Sequence, residues 1–519
     1  MPKLTLPAPD ANLVSTVHDA DAARTWLAAQ PLAQPLRMAR ALLQEIRAID
    51  ACATVPVERM ELLDALRGAV IQAEAGIMVR YANKPLPLLE EEQSVFDTAR
   101  QLWHVLAIAY LRAAPLLPPA QLVQAMHRGA VGLREALYCH YVAGIEADAD
   151  ILHLLYELLA TAESLHVQRV AVLDPDFRHL GESTIAGDVA WSLLLHFCDP
   201  YRFSPAQFNV ANRAISRWCS FASFQVEPDE DPRAKSIPLA KWLGEEIVSR
   251  GGPRWLEVRP VVRKIRKRIE SLEAGETPEQ LKLGRELTPS ACIRLMRDLD
   301  RALRPDAKPP GALIGKATID LVFGNDNLYA LIAGKPMTEN QLTTKSSSIS
   351  HERMALFGFD NVANRIDHVG DLRAPAETWA VEDNWILRAA PAGGQVVTPL
   401  LVGIRPSGGE PPQLAVLFGL RQTSDGWLAA NLRLLPGPVD SGIQKSGIAA
   451  QVKGVVRQPA FLLPAEQEGD TPASICLPTG SGMREGLLLE LEESPVAHLR
   501  LREVIERGSN FTRFGYART

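Results

Sequence analysis

The chain has 519 residues, 47% hydrophobic and 22% charged, which is enough for two to four domains of ordinary soluble composition. A formal charge of −6 excludes a protein that binds nucleic acid with its whole surface. Six cysteines, scattered singly at Cys52, Cys139, Cys198, Cys219, Cys292 and Cys476 with no Cys-x-x-Cys pair, exclude a zinc ribbon and a dithiol redox motif and fit buried thiols in a reducing cytoplasm.

The opening Met1-Pro-Lys-Leu-Thr-Leu-Pro7 has no charged-then-apolar secretion signal, and residues 1–20 read as a flexible arm. No uninterrupted apolar run reaches the length of a membrane span, so no integral membrane segment is expected and the localisation read is cytoplasmic. Residues 21–225 read as a helical domain. After Pro35, Met38, Ala41, Leu42, Ile46 and Ile49 share one side of a helix; Leu62, Leu63, Leu66, Val70 and Ile71 do so over 57–81, until Pro85 and Pro87 break the pattern. Further helices are predicted over 90–114 and 120–143, and over 151–168 with Asp148 as N-cap. Their short connections favour antiparallel neighbours in a bundle or stacked array.

His127, His140, His153, His166 and His179 recur at a constant interval of thirteen. That interval turns a helix by about 1300°, so successive members leave the shared face a metal site needs. Residues 187–224 carry Trp191, Phe197, Phe203, Phe208, Trp218, Phe221 and Phe224 in a helix, turn, helix pattern, which suits buried packing better than a stacking surface in a non-basic segment.

Residues 226–304 read as basic amphipathic and linker helices. Over 258–273, Val258, Val261, Val262, Ile265, Ile269 and Leu272 form one face, and Arg259, Arg263, Lys264, Arg266, Lys267 and Arg268 load the remainder. This suits either a solvated face or a contact for phosphates, an acidic partner or anionic lipid. The candidate partner-binding residues are Arg259, Arg263, Arg266 and Lys267. A last helix starts near Pro289 with Thr288 as N-cap, and Pro305, Pro309 and Pro310 form a stiff linker.

Beyond the linker the pattern turns short and alternating. Residues 305–440 read as a small β-barrel: Ile319, Leu321 and Phe323 alternate, strands resume at Thr378, and Ser424-Asp425-Gly426 marks a hairpin between 414–421 and 427–435. Residues 441–519 read as an appended β extension, and the chain closes on 504–516. The fold class expected is α+β multidomain, an all-α helical array or bundle followed by an antiparallel barrel with appended strands. The chain has no Gly-x-Ser-x-Gly elbow, no phosphate-binding P-loop, no His-Glu-x-x-His and no EF-hand loop, so no catalysis, catalytic residue, metal or cofactor is expected.

A helical first half, a proline-rich linker, Asp320-Leu-Val-Phe-Gly324, a Trp379-led strand, Leu434-Leu-Pro-Gly437 and a final Glu506-Arg-Gly-Ser-Asn-Phe-Thr-Arg-Phe514 together resemble the PilZ-domain proteins of bacteria. The resemblance implies a six-stranded barrel, cyclic di-GMP as ligand and signalling through another protein. Two motifs depart from the family pattern. The Arg-x-x-x-Arg that precedes the first strand is replaced by Lys308-Pro-Pro-Gly-Ala-Leu-Ile-Gly-Lys316, and the Asp/Asn-x-Ser-x-x-Gly motif by Glu382-Asp-Asn-Trp-Ile386. Lysine lacks the planar, bidentate grip of arginine. By resemblance the candidate ligand-binding residues are Arg304, Lys308, Lys316, Asp383, Asn384 and Arg388. Two functions stand side by side: a PilZ-type cyclic-di-GMP receptor or adaptor with a protein partner, and a nucleotide-independent scaffold built on a degenerate barrel.

Overall fold

A computed structural model describes residues 4–31, 33–52, 55–231, 233–304, 318–337, 376–382, 385–405, 411–437, 439–440, 443–444, 448–452, 457–465, 471–492 and 498–519. The chain divides into two compact units: Met1–Lys308 with Arg421–Leu428, and Pro309–Leu420 with Ala429–Thr519.

The first unit is helical: α1 (Ala20–Ala28), α2 (Pro35–Ala51), α3 (Pro56–Met78), α4 (Glu90–Ala113), α5 (Pro119–Ala143), α6 (Ala149–Ser164), α7 (Ile185–Phe197), α8 (Pro205–Trp218), the short α9 (Ala240–Leu243) and α10 (Glu245–Ser249), then α11 (Arg259–Glu273) and α12 (Pro289–Ala302). Proline opens α2, α3, α5, α8 and α12, where its fixed φ suits the first turn and its missing N–H is not needed. Asp148 and Thr288 accept from Asp150 N and Ala291 N, capping α6 and α12 as the sequence predicts. The antiparallel α4 and α5 approach closely because α5 presents glycines. A Cβ on Gly132 would sit 2.9 Å from Ala107 Cβ, and one on Gly129 would overlap Leu111. One continuous apolar core, including Leu42, Leu66, Leu106, Leu133 and Leu194, runs through the unit.

Two small sheets interrupt the helices. Strands β1 (Val172–Leu173) and β2 (Glu182–Ser183) pair antiparallel, and β3 (Ser223–Gln225), β4 (Ser236–Pro238) and β5 (Trp255–Glu257) form a sheet in the order β3-β5-β4. Strands of two or three residues are too short to leave a period-two signal, so the sequence reading has only helices and loops here.

The second unit is β-rich. Strands β6 (Thr318–Val322), β7 (Ala376–Glu382), β8 (Trp385–Ala389), β9 (Leu400–Arg405), β10 (Gln413–Gln422) and β11 (Trp427–Leu434) close a six-stranded barrel in the order β10-β11-β8-β7-β6-β9. The Asp425-Gly426 turn joins β10 to β11, with Gly426 at a φ of 78°. After the β12 (Val439–Asp440) and β13 (Ile443–Gln444) pair, β14 (Ile448–Val452), β15 (Gln458–Leu463), β16 (Ser474–Pro478), β17 (Leu488–Glu490), β18 (His498–Arg507) and β19 (Phe511–Arg518) make a second sheet, order β14-β15-β16-β19-β18-β17. Register shifts in β18 around Val504 bend it, and a bridge between Val452 and Leu491 brings its two ends together as a curled half-barrel.

Helix α13 (Asn325–Ala333) ties barrel to half-barrel: Leu328 and Tyr329 share one core with Val322, Leu401 and Leu414 of the barrel and with Phe461, Cys476 and Phe511 of the second sheet. It crosses β9 at Gly403, where a Cβ would overlap Leu331 and Leu328. The Asn510 side chain adds a staple, accepting from Leu401 N (2.8 Å) and donating to Leu401 O (2.9 Å).

Candidate functional site

Arg388 lies on β8 inside the barrel unit. It is 4% exposed, with its guanidinium 5.1 Å above the fully buried Trp379 ring. Nη1 pairs with Glu377 on β7 and Nη2 donates to Gly394 O at 2.7 Å. These contacts fasten the β7–β8 ribbon to the following turn. Arg304 follows α12 in the helical unit, half exposed, and donates to Asp300 Oδ2 at 3.1 Å. Lys308, Lys316, Asp383 and Asn384 lie outside the described residues.

On α11, Val261, Val262, Ile265 and Leu272 are buried and the cations face outward, as its amphipathic pattern requires. Arg259 is held by Asp231 and Arg266 by Asp300, while Lys264 sits 4.6 Å over the Phe221 ring. Arg263 and Lys267, exposed and one turn apart, take part in no ion pair among the described residues.

A dense buried charge network lies in the helical unit. Arg67 of α3 grips Asp174 with both Nη atoms at 2.6 Å and Asp176 at 2.7 Å. Arg134 of α5 pairs with Asp188 of α7, and its Nε and Nη2 donate to Glu135 Oε1 at 3.0 and 2.6 Å. The two guanidinium groups clasp Phe177, at 5.4 and 5.6 Å from its ring, and Arg134 also lies 4.0 Å over Trp191. His127 Nε2 bonds to Ser183 Oγ at 2.6 Å and stands 3.2 Å from Asp188 Oδ2. Arg67, His127, Arg134, Asp174 and Asp188 are all buried.

Burial by itself raises a carboxyl. At Asp188 the Arg134 charge and the neighbouring His127, and at Asp174 the bonds from Arg67, outweigh it and leave both below the ordinary carboxylate value. Each acid is therefore ionised beside a buried arginine, and the network pins the 174–181 strap between β1 and β2 onto the helices.

The strap separates two clefts. On one side lies a cleft of about 380 Å³, whose walls include Glu135 and Tyr138 of α5, Trp191 of α7, and Asn212 and Arg213 of α8. On the other side a cleft of about 300 Å³ is lined by Gln124, His127, Arg128, Asp174 and Arg178. Trp191 Nε1 donates to Asn212 Oδ1 at 2.8 Å, which fixes the indole edge-on to α8. Arg213 reaches across to Glu286 and to Leu283 O. Of the evenly spaced histidines, His127 and His140 are buried in α5 and His179 stands on the exposed strap. No group of His, Cys, Asp and Glu able to hold a metal occurs among the described residues.

Residues 21–230 match the family model described as the N-terminal domain of the cyclic-di-GMP receptor FimW. That match spans 210 of the 519 residues and shows a likeness of this part of the helical unit alone. No curated protein and no solved structure matches the chain. The matched residues contain the whole buried network and every wall residue of both clefts; Glu286, the partner of Arg213, lies beyond them. The closed barrel that follows in sequence is consistent with the PilZ-like receptors that the motifs resemble.

Sequence reasoning named His127 only within its evenly spaced series and gave Arg67, Arg134, Asp174 and Asp188 no role. Asp188 was the accessible signal, a lone carboxylate in the apolar helix Ile185-Ala-Gly-Asp-Val-Ala-Trp-Ser-Leu-Leu-Leu195, where only a buried cation makes it tolerable.

Proposed function

We propose that the chain is a cyclic-di-GMP receptor that acts without catalysis, passing the nucleotide signal to another protein by surface contact. The observation that carries this reading is the match of its helical half to the FimW N-terminal domain, with a six-stranded barrel in the rest of the chain. The resemblance of the barrel to PilZ domains assigns ligand contacts to Lys308, Lys316, Asp383 and Asn384. Arg388 and Arg304 serve this reading as positioning residues, since each guanidinium is already engaged by a carboxylate, Glu377 and Asp300.

Titration of the purified full chain with cyclic di-GMP by calorimetry is expected to give saturable heat, weakened when Lys316→Ala and Asp383→Ala are combined. No heat at hundreds of micromolar nucleotide would remove direct sensing. The engaged state of Arg304 and Arg388 favours a second reading, a scaffold that ignores nucleotide, and that null titration is the result it requires.

For the partner, α11 is the contact we propose, through Arg259, Arg263, Arg266 and Lys267. Among the described residues Arg263 and Lys267 take part in no ion pair and so face an acidic surface unmatched, whereas Asp231 and Asp300 already engage Arg259 and Arg266. Combined Arg263→Glu and Lys267→Glu is expected to abolish capture of the partner, with nucleotide binding and melting midpoint unchanged. Capture that survives the double reversal takes α11 out of the mechanism.

A further inference from the structure

The two walls of the larger cleft are chemically distinct. On α5, Glu135 and Tyr138 are three residues apart and share a helix face, placing a carboxylate beside an aromatic ring. On α8, Asn209, Asn212, Arg213 and Ser216 follow the i, i+3, i+4, i+7 spacing of a single face and present a row of hydrogen-bonding groups opposite. A volume of about 380 Å³ lies near the lower end of small-ligand pockets, roughly 300–1,000 Å³, so the cleft suits one nucleotide half of a larger ligand.

Glu135 is unusually well prepared. Both hydrogen bonds from Arg134 go to its Oε1, at 3.0 and 2.6 Å, and Arg134 is itself locked by Asp188, Trp191 and Phe177. The carboxylate orientation is therefore fixed before any ligand arrives, and among the described residues Oε2 accepts no hydrogen bond. A fixed carboxylate beside an aromatic ring recognises a planar base that offers adjacent N–H donors. Guanine has that edge in N1–H and the N2 amino group, whereas adenine places the lone pair of N1 there.

We infer that the α5–α8 cleft of the helical unit is a guanine-recognition site, with Glu135 accepting from the base edge, Tyr138 packing on the base, and the amides of Asn209 and Asn212 on α8 meeting the sugar, while Arg213 stays paired with Glu286. This rests on the reading of the chain as a cyclic-di-GMP receptor and adds to it a base-specific site outside the barrel. Tyr138 stays a neutral phenol throughout, since burial pushes it up to about 12.

The test is calorimetry on the full chain with cyclic di-GMP, cyclic di-AMP, GMP and AMP, using the unaltered protein, Glu135→Gln, Ser216→Phe and the Lys316→Ala, Asp383→Ala pair. In E135Q the amide oxygen turns to Arg134, which leaves the NH₂ facing the donors of guanine. A loss of about 10- to 100-fold in cyclic-di-GMP affinity is expected, the scale of one charge-assisted contact. S216F fills the cleft without touching the network and is expected to reduce binding at least as far, with an unchanged melting midpoint. The unaltered chain is expected to prefer GMP to AMP by about 100-fold, and E135Q to lose most of that preference. Cyclic-di-GMP binding that E135Q and S216F leave within twofold of the unaltered chain, but that the Lys316, Asp383 pair abolishes, overturns this inference and leaves the receptor reading standing. No binding to the unaltered chain overturns both.

Discussion

Arg67→Ala is expected to destabilise the helical unit by about 3–5 kcal/mol, a fall of roughly 10 °C in its melting midpoint. The size follows from what the substitution leaves behind. Asp174 is 4% exposed and takes two 2.6 Å bonds from Arg67, which also holds Asp176 at 2.7 Å and lies 5.4 Å from the Phe177 ring. Removing the guanidinium strands a buried carboxylate whose ionised form depends on it, opens space under the strap, and frees one side of Phe177. Thermal and urea unfolding of the full chain measure it. Arg67→Met with Asp174→Leu separates the contributions, because it removes both charges and restores apolar volume. That pair is expected to regain most of the loss, the usual result when a buried ion pair is replaced whole. A cost below about 1 kcal/mol for Arg67→Ala would mean that water reaches Asp174 and that the network does not hold the strap.

Local rules made much of the architecture readable. The Asp148 and Thr288 caps, the prolines that open helices, the apolar face of α11 and the Asp425-Gly426 hairpin are each decided within a few residues, and the structure forms them. The closing strands were less visible. Residues 506–510 are Glu-Arg-Gly-Ser-Asn, polar by composition, yet Gly508 N donates to Phe511 O to turn β18 into β19, and Asn510 spends its amide on Leu401.

The network was hidden for a different reason. Arg67 and Asp174 are 107 positions apart, and no periodicity couples them. Arg134 and Glu135 are adjacent, a spacing that ordinarily points two helix side chains apart; they meet because Asp188 and the Trp191 ring pull the guanidinium back along α5. Pairings fixed by tertiary packing leave single charges in apolar helices as their trace, and only the company of a second buried charge gives those residues meaning.

Glu74→Gln is expected to stabilise the helical unit by about 1–3 kcal/mol at pH 8 and by well under half as much at pH 5. Glu74 is buried on α3, accepts from Tyr81 Oη at 2.8 Å, and has Cys139 Sγ 4.0 Å away. Burial, only partly offset by the Tyr81 bond, pushes its carboxyl up to about 7. In the unfolded chain the same group titrates near its ordinary value, about 4.3. Between those values the folded state binds the extra proton, so stability is fully present below the unfolded value and is lost as pH rises through about 7. Glutamine keeps the acceptor for Tyr81 and carries no charge to strand, so its advantage grows as pH rises from the unfolded value and is complete above about 7. Asp174 and Asp188 have the opposite sign, depressed carboxyls whose contribution is lost only in acid below the unfolded range, and they stay constant between pH 5 and pH 8. Urea unfolding of both proteins at the two pH values measures the difference. An equal effect at pH 5 and pH 8 would assign the change to packing and remove the buried proton from the account.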